Sequence, residues 1–119
     1  MPSHHLPNYL RAHRKRMSLY QDEVAYLLGA GSGTKASRYE RSSRIPGLET
    51  VLAYEAIFGR PVSELFAGLY GDVQKLVARR AKRLEQKLRN QPQTPQNLRK
   101  LRSLQAIIAG HARGEAKPA

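Results

Sequence analysis

Among the residues whose types could do chemistry is a close set of hydrogen-bond donors, Thr34, Lys35 and Arg38. A planar guanidinium such as that of Arg38 matches paired acceptors like guanine O6 and N7. Lys35 can reach a guanine or a phosphate, and Thr34 offers a methyl to thymine or a hydroxyl to a base edge. This is recognition chemistry, not bond-making. No enzyme is expected, because the chain has no glycine motif that cradles phosphate, no nucleophile with a base, and no carboxylate pair at a credible spacing. It contains no cysteine, and its four histidines, at 4, 5, 13 and 111, are not spaced as a metal shell. Neither cofactor nor metal is therefore expected.

To be useful, these donors must stand on one rigid face, and the surrounding pattern supplies helices for that purpose. Leu6 to Met17 predicts a first helix with Pro7 in its first turn and Leu10, Arg14 and Met17 at i, i+4 and i+7. Gln21 to Leu28 predicts a second, with Val24, Ala25, Leu27 and Leu28 apolar and Gly29 at the terminus that tolerates positive φ. After the turn at residues 30–34, Ser32 or Thr34 caps a third helix running to about Arg41. Leu48 to Phe58 predicts a fourth, with Leu48, Val51, Leu52, Ala56 and Phe58 inward and Gly59 as terminator, and residues 62–66 predict a short fifth. Two longer helices follow, from Asp72 to about Asn90 and from Thr94-Pro95 onward. No strand-like alternation and no internal repeat is present, so the fold class is all-α.

Composition separates the chain into two parts. Residues 1–71 hold nine Lys/Arg against six Asp/Glu, together with all six Tyr and both Phe, whereas residues 72–119 hold twelve against three and no aromatic residue. With a formal net charge of +12, the favoured partner is a polyanion. No apolar run is long enough to span a membrane, and the start Met1-Pro2-Ser3-His4-His5 lacks the apolar core of a signal peptide. A cytoplasmic protein with no membrane partner is expected.

Two short helices joined through a glycine turn, the second small, polar and basic, have the geometry that places a helix N-terminus in a major groove. The residues go further. The runs Leu19-Tyr20-Gln21-Asp22-Glu23-Val24-Ala25-Tyr26-Leu27-Leu28-Gly29, Ser37-Arg38-Tyr39-Glu40-Arg41, Pro46-Gly47-Leu48-Glu49-Thr50 and Ser63-Glu64-Leu65-Phe66 closely resemble the phage-repressor-like (Cro/cI, XRE-type) helix-turn-helix family. The resemblance covers about residues 6–66 and implies a five-helix lambda-repressor-like domain, followed here by a C-terminal basic two-helix extension. It implies a bacterial or phage-derived, nucleoid-associated regulator of transcription, most simply a repressor that binds double-stranded DNA as a homodimer on an inverted repeat. Thr34, Lys35 and Arg38 would contact bases. Gln21, Ser32, Arg41 and Arg44 would contact phosphates, and Arg14 and Glu40 would form a structural ion pair.

The chain departs from the family pattern in places. Tyr20 stands where a Ser or Thr cap is usual, and His13 stands where an aliphatic core residue is usual, which makes it a packed histidine. Counting from Gly29, the buried position of the third helix falls on Lys35, or on Ala36 if the turn carries one extra residue. In the longer register Ser32 caps the helix, and Gly33, Thr34, Lys35 and Arg38 take the base-facing positions.

The extension has its own logic. Its apolar residues Val73, Leu76, Val77, Leu84 and Leu88, then Leu98, Leu101, Leu104, Ile107 and Ile108, predict a helical hairpin hinged at Pro92 to Pro95. Leu76, Val77, Leu84, Leu88, Leu98, Leu101, Leu104 and Ile108 are the expected contact residues for a second copy or another partner. The second reading of the whole chain is an antitoxin or anti-activator adaptor whose basic hairpin holds an acidic partner protein.

Overall fold

The structure is a computed structural model that describes residues 7–116, with side chains through 111. It is all-helical, with no strand among the described residues: α1 Leu10–Arg16, α2 Gln21–Leu28, α3 Gly33–Glu40, α4 Leu48–Phe58, α5 Val62–Leu65, α6 Ala67–Arg89 and α7 Pro95–Ala116. No described helix is long and apolar enough to cross a membrane. The chain divides into two compact units, one through Tyr70 and one from Gly71.

In the first unit α1 begins later than its sequence pattern predicts, and Leu6 lies outside the described residues. The reason is Asn8. Its Oδ1 accepts the Leu10 N–H at 3.1 Å, while its Nδ2 donates to the Tyr39 carbonyl at 2.9 Å and to Ser42 Oγ at 3.0 Å. One side chain thus starts α1 and fastens it to the end of α3. The helix buries Leu10 and His13, and Met17 is exposed, so the inward face is not the one predicted through Met17.

α2 ends at Gly29 in the left-handed conformation and α4 ends at Gly59 in the same way, at φ of 79° and 65°. Ser18 and Ser42 adopt positive φ just after α1 and α3, so those two helices stop without a glycine. In α2, Val24 and Ala25 are buried and Leu27 is exposed.

The core joins Leu10, Val24, Tyr39, Tyr54, Leu65 and Phe66, with Leu19, Leu28, Val51, Phe58 and Val62 packed around them. Its centre is aromatic. The Tyr54 ring lies edge-on to Tyr39 and Phe66, each at 6.3 Å between centroids, and stacks on Phe58 at 5.8 Å. This packing turns α4 away from the predicted orientation. Val51, Tyr54 and Phe58 face inward, whereas Leu48, Leu52 and Ala56 face solvent. Three aromatic contacts outweigh the burial of two leucines.

In the second unit, Ala81 and Leu88 of α6 form one buried cluster with Leu101 and Leu104 of α7, and Ile108 packs against it. Thr94 Oγ1 accepts the Asn97 N–H at 3.1 Å and caps α7. α6 starts five residues before its predicted start. Its buried line is Ala78, Ala81 and Leu88, while Val73, Leu76, Val77 and Leu84 remain 42–46% exposed.

Two measurements test this packing. The Tyr54 hydroxyl is buried without a hydrogen-bond partner among the described residues, so Tyr54→Phe should raise the unfolding free energy by about 1 kcal/mol in denaturant melts. His13 packs beside Phe58 at 5.9 Å, and burial, followed by the nearby Arg16 charge, holds its pKa below the usual 6.5. Above that value both folded and unfolded chains carry a neutral imidazole. As pH falls through it, the unfolded chain takes up a proton that the folded chain resists, and stability is lost. The melting temperature should therefore drop between about pH 7 and about pH 5.5, and His13→Leu should flatten that slope.

Candidate nucleic-acid interface

α3 is short, and nearly every residue in it has an assigned side. Gly33, Ala36 and Tyr39 are buried; Thr34, Lys35 and Arg38 are exposed. Ser32 is the cap, its Oγ accepting the Thr34 N–H at 3.4 Å, and Ala36 is fully buried. Of the two registers open in the sequence, the structure adopts the longer turn. Gly33 corrects one expectation of that register, because it faces α2 and not solvent. Its N–H donates to Asp22 Oδ1 at 2.9 Å, and a Cβ built there would collide with that carboxylate. Glycine is favoured here by close approach, because any Cβ would force the Asp22 carboxylate aside, and not by a positive φ.

The other end of α3 is held by charge. Arg14 Nε donates to Glu40 Oε2 at 2.6 Å and Nη2 donates to Oε1 at 3.2 Å, while Nη1 donates to the Leu19 carbonyl at 3.0 Å. Gln21 Nε2 adds a further bond to Glu40 Oε1 at 3.1 Å. The two charged side chains are only 11% and 4% exposed. A bidentate, hydrogen-bonded arrangement of this kind offsets the cost of removing both ions from water. α1, the loop before α2, α2 and α3 all meet at this network.

Beside it lies an open cleft lined by Arg11, Arg14, Tyr20, Gln21, Ser37, Glu40 and Arg41. Arg14 and Glu40 satisfy each other, which leaves Arg11 and Arg41 as its exposed cations. The first turn of α2 opens at this cleft, and Glu23 Oε1 accepts the Tyr20 N–H at 2.8 Å to fix the entry of the chain. That first turn also carries Asp22 and Glu23, whose carboxylates accept the Gly33 and Tyr20 N–H groups, so the cations of the cleft that suit an anion are Arg11 and Arg41.

The residues singled out in the sequence therefore separate into groups. Gln21 and Arg41 share the cleft, with the Gln21 amide nitrogen already committed to Glu40. Arg44 lies elsewhere, lining a small apolar pocket with Pro7, Asn8, Tyr39, Ile45 and Phe66. Ser32 is occupied as the cap of α3. Leu88, Leu101, Leu104 and Ile108 pack on one another inside the hairpin and are not available to a second copy, whereas Leu76, Val77, Leu84 and Leu98 are exposed.

Sequence reasoning missed Arg11, Asn8 and Asp22. Arg11 stands three residues before Arg14 on the same helix and so points to the same side, a signal that spacing alone carries. Asn8 and Asp22 act through contacts distant in sequence and left no local mark. No family model, curated protein or solved structure matches this chain.

Removing Glu40 would leave the Arg14 guanidinium poorly solvated and unpaired. Glu40→Ala should cost about 3 kcal/mol of unfolding free energy, and Arg14→Ala with Glu40→Ala should cost clearly less than the sum of the two single changes. Gly33→Ala should also destabilise, by about 1–3 kcal/mol in the same melts, and Asp22→Gly in the same chain should recover part of the loss.

Proposed function

We propose that this chain is a sequence-specific double-stranded DNA-binding regulator of transcription, a repressor acting as a homodimer in the cytoplasm. Its first unit would be a five-helix lambda-repressor-like domain in which α2 and α3 form the helix-turn-helix. The observation that carries the reading is the two-sidedness of α3. Gly33, Ala36, Tyr39 and Glu40 hold it to the rest of the unit, and Thr34, Lys35 and Arg38 stand free in solvent beside a cleft with two exposed arginines.

The division of labour follows from position. Arg38, with Lys35 and Thr34, would read base edges in the major groove, while Arg11 and Arg41 would hold phosphates and set the register. The twelve Lys/Arg of residues 72–119 add affinity that depends on salt and not on sequence. Because one short helix reads only a few base pairs, two copies on an inverted repeat, with half-sites about 34–36 Å apart, give useful specificity.

One observation favours the adaptor as a second reading. On α6 the exposed Val73, Leu76, Val77 and Leu84 follow a spacing that also takes in Arg80 and Lys87. A second copy laid on that face would bring like charges together at the seam. An acidic amphipathic helix of another protein would match it in both charge and apolar pattern.

The test is selection of bound duplexes from a random pool, followed by binding of variants across a range of salt. Arg38→Ala should lose about 1–3 kcal/mol of discrimination at one base pair. Arg41→Ala and Arg11→Ala should weaken all duplexes alike and lower the salt slope by about one each. Equal loss on selected and random duplexes for Arg38→Ala would remove α3 as the reading element.

A further inference from the structure

Arg44 takes no part in the cleft beside α3, and its surroundings point to a different ligand. It lines a cavity of about 120 Å³ together with Tyr39 and Phe66, which are almost wholly buried, and Ile45 and Leu69, which reach solvent. The walls are held from several sides. Leu69 N–H donates to the Pro7 carbonyl at 3.3 Å, and the Asn8 carboxamide bonds to the Leu10 N–H, the Tyr39 carbonyl and Ser42 Oγ. Pro46 is buried; its ring fixes its own φ and disfavours helical backbone at Ile45. The cavity is therefore part of the fold and not a gap between loose side chains.

The lining defines what fits. Arg44 is its one charged residue, no carboxylate lines it, and the Asn8 carboxamide is already bonded through both its oxygen and its nitrogen. An occupant must therefore bring an apolar body. Size sets that body at about one six-membered ring, since an apolar cavity of about 150 Å³ holds benzene. The Tyr39 and Phe66 rings favour an aromatic one, through edge-on or offset contact. Arg44 then sets the polar end. Its planar guanidinium holds a carboxylate through two parallel bonds, and a single cation calls for a single negative charge. Because Arg44 is exposed, that carboxylate stays at the solvent side while the ring goes inward.

We propose that this cavity is a binding site for a small aromatic monocarboxylate, with its ring against Tyr39 and Phe66 and its carboxylate on Arg44. The site goes beyond the DNA reading and holds independently of it. Its connection to α3 is direct, because Tyr39 belongs to that helix and Asn8 fastens the helix end. A ligand here braces the last turn of α3 against the segment before α1. Binding to the folded chain alone stabilises it by mass action.

Benzoate is the probe, titrated into the isotope-labelled full-length protein at constant ionic strength and followed by amide NMR. Benzyl alcohol serves as its neutral match, and inorganic phosphate as an anion without a ring. A ligand of about nine non-hydrogen atoms supports a Kd of about 1 mM. Benzoate should shift the amides of Asn8, Tyr39, Phe66 and Leu69 saturably and raise the melting temperature. Benzyl alcohol should move the same amides with about fivefold weaker affinity, and phosphate should leave them unmoved. Arg44→Gln should bring benzoate down to the affinity of benzyl alcohol. Leu69→Trp, which fills the cavity, should abolish binding of both, and the Arg44→Gln result does not depend on how that variant folds. No saturation by about 20 mM benzoate would overturn the proposal, as would equal affinity for benzyl alcohol or unchanged benzoate binding in Arg44→Gln. Shifts shared with phosphate, or confined to the cations of residues 72–119, would show benzoate acting as a general counter-ion and would overturn it equally.

Discussion

The first unit depends on a single buried ion pair. Arg14 spends three of its five N–H donors on fixed partners, two on the Glu40 carboxylate and one on the Leu19 carbonyl, and Glu40 receives a further bond from Gln21. The planar fork of arginine makes this arrangement available, whereas a lysine ammonium has neither the number of donors nor the flat geometry. Because Glu40 is the last residue of α3 and Gln21 the first of α2, the pair fixes the two helices relative to each other and to α1. The outward aim of Thr34, Lys35 and Arg38 follows from that constraint.

The two units use different means to hold together. The first relies on aromatic rings around Tyr54 and on side chains that bond across long sequence separations, such as Asn8 to the end of α3. The second relies on alanine and leucine between two long helices, Ala81 and Leu88 against Leu101 and Leu104. Aromatic packing defines geometry closely, because ring pairs prefer particular orientations. The alanine–leucine seam is sparing of apolar area, and it leaves most of the outer surface of α6 to cations and to half-exposed apolar residues.

Much of this was written locally. Gly29, Ser32 and Gly59 mark the ends and starts of α2, α3 and α4 because a left-handed terminus and a hydroxyl cap are properties of single residues. The facing of α4 and α6 was not legible in the same way. Periodicity shows that a helix has an apolar side, but when Leu48, Leu52 and Ala56 compete with Val51, Tyr54 and Phe58, the neighbouring elements decide which side is covered. On α6 the small side chains of Ala78 and Ala81 are buried and the larger Leu76 and Leu84 are left outside. A count of hydrophobic residues, which weights the larger ones, points to the wrong arc. In the candidate interface, Thr34, Lys35 and Arg38 stand out through the resemblance to the helix-turn-helix family and its register, since residue type alone does not separate them from the other cations of the chain. Arg11 needed a helix to bring it beside Arg14, and Asp22 needed the turn to bring it to Gly33.

The Asp22 to Gly33 contact ties two positions into one unit of heredity. A side chain at 33 would push the Asp22 carboxylate aside, so with Asp22 in place the first position of α3 offers only its backbone. A side chain at 33 is accommodated at lower cost once residue 22 has been shortened. The reverse order passes through a chain weakened by the crowded contact between the two helices.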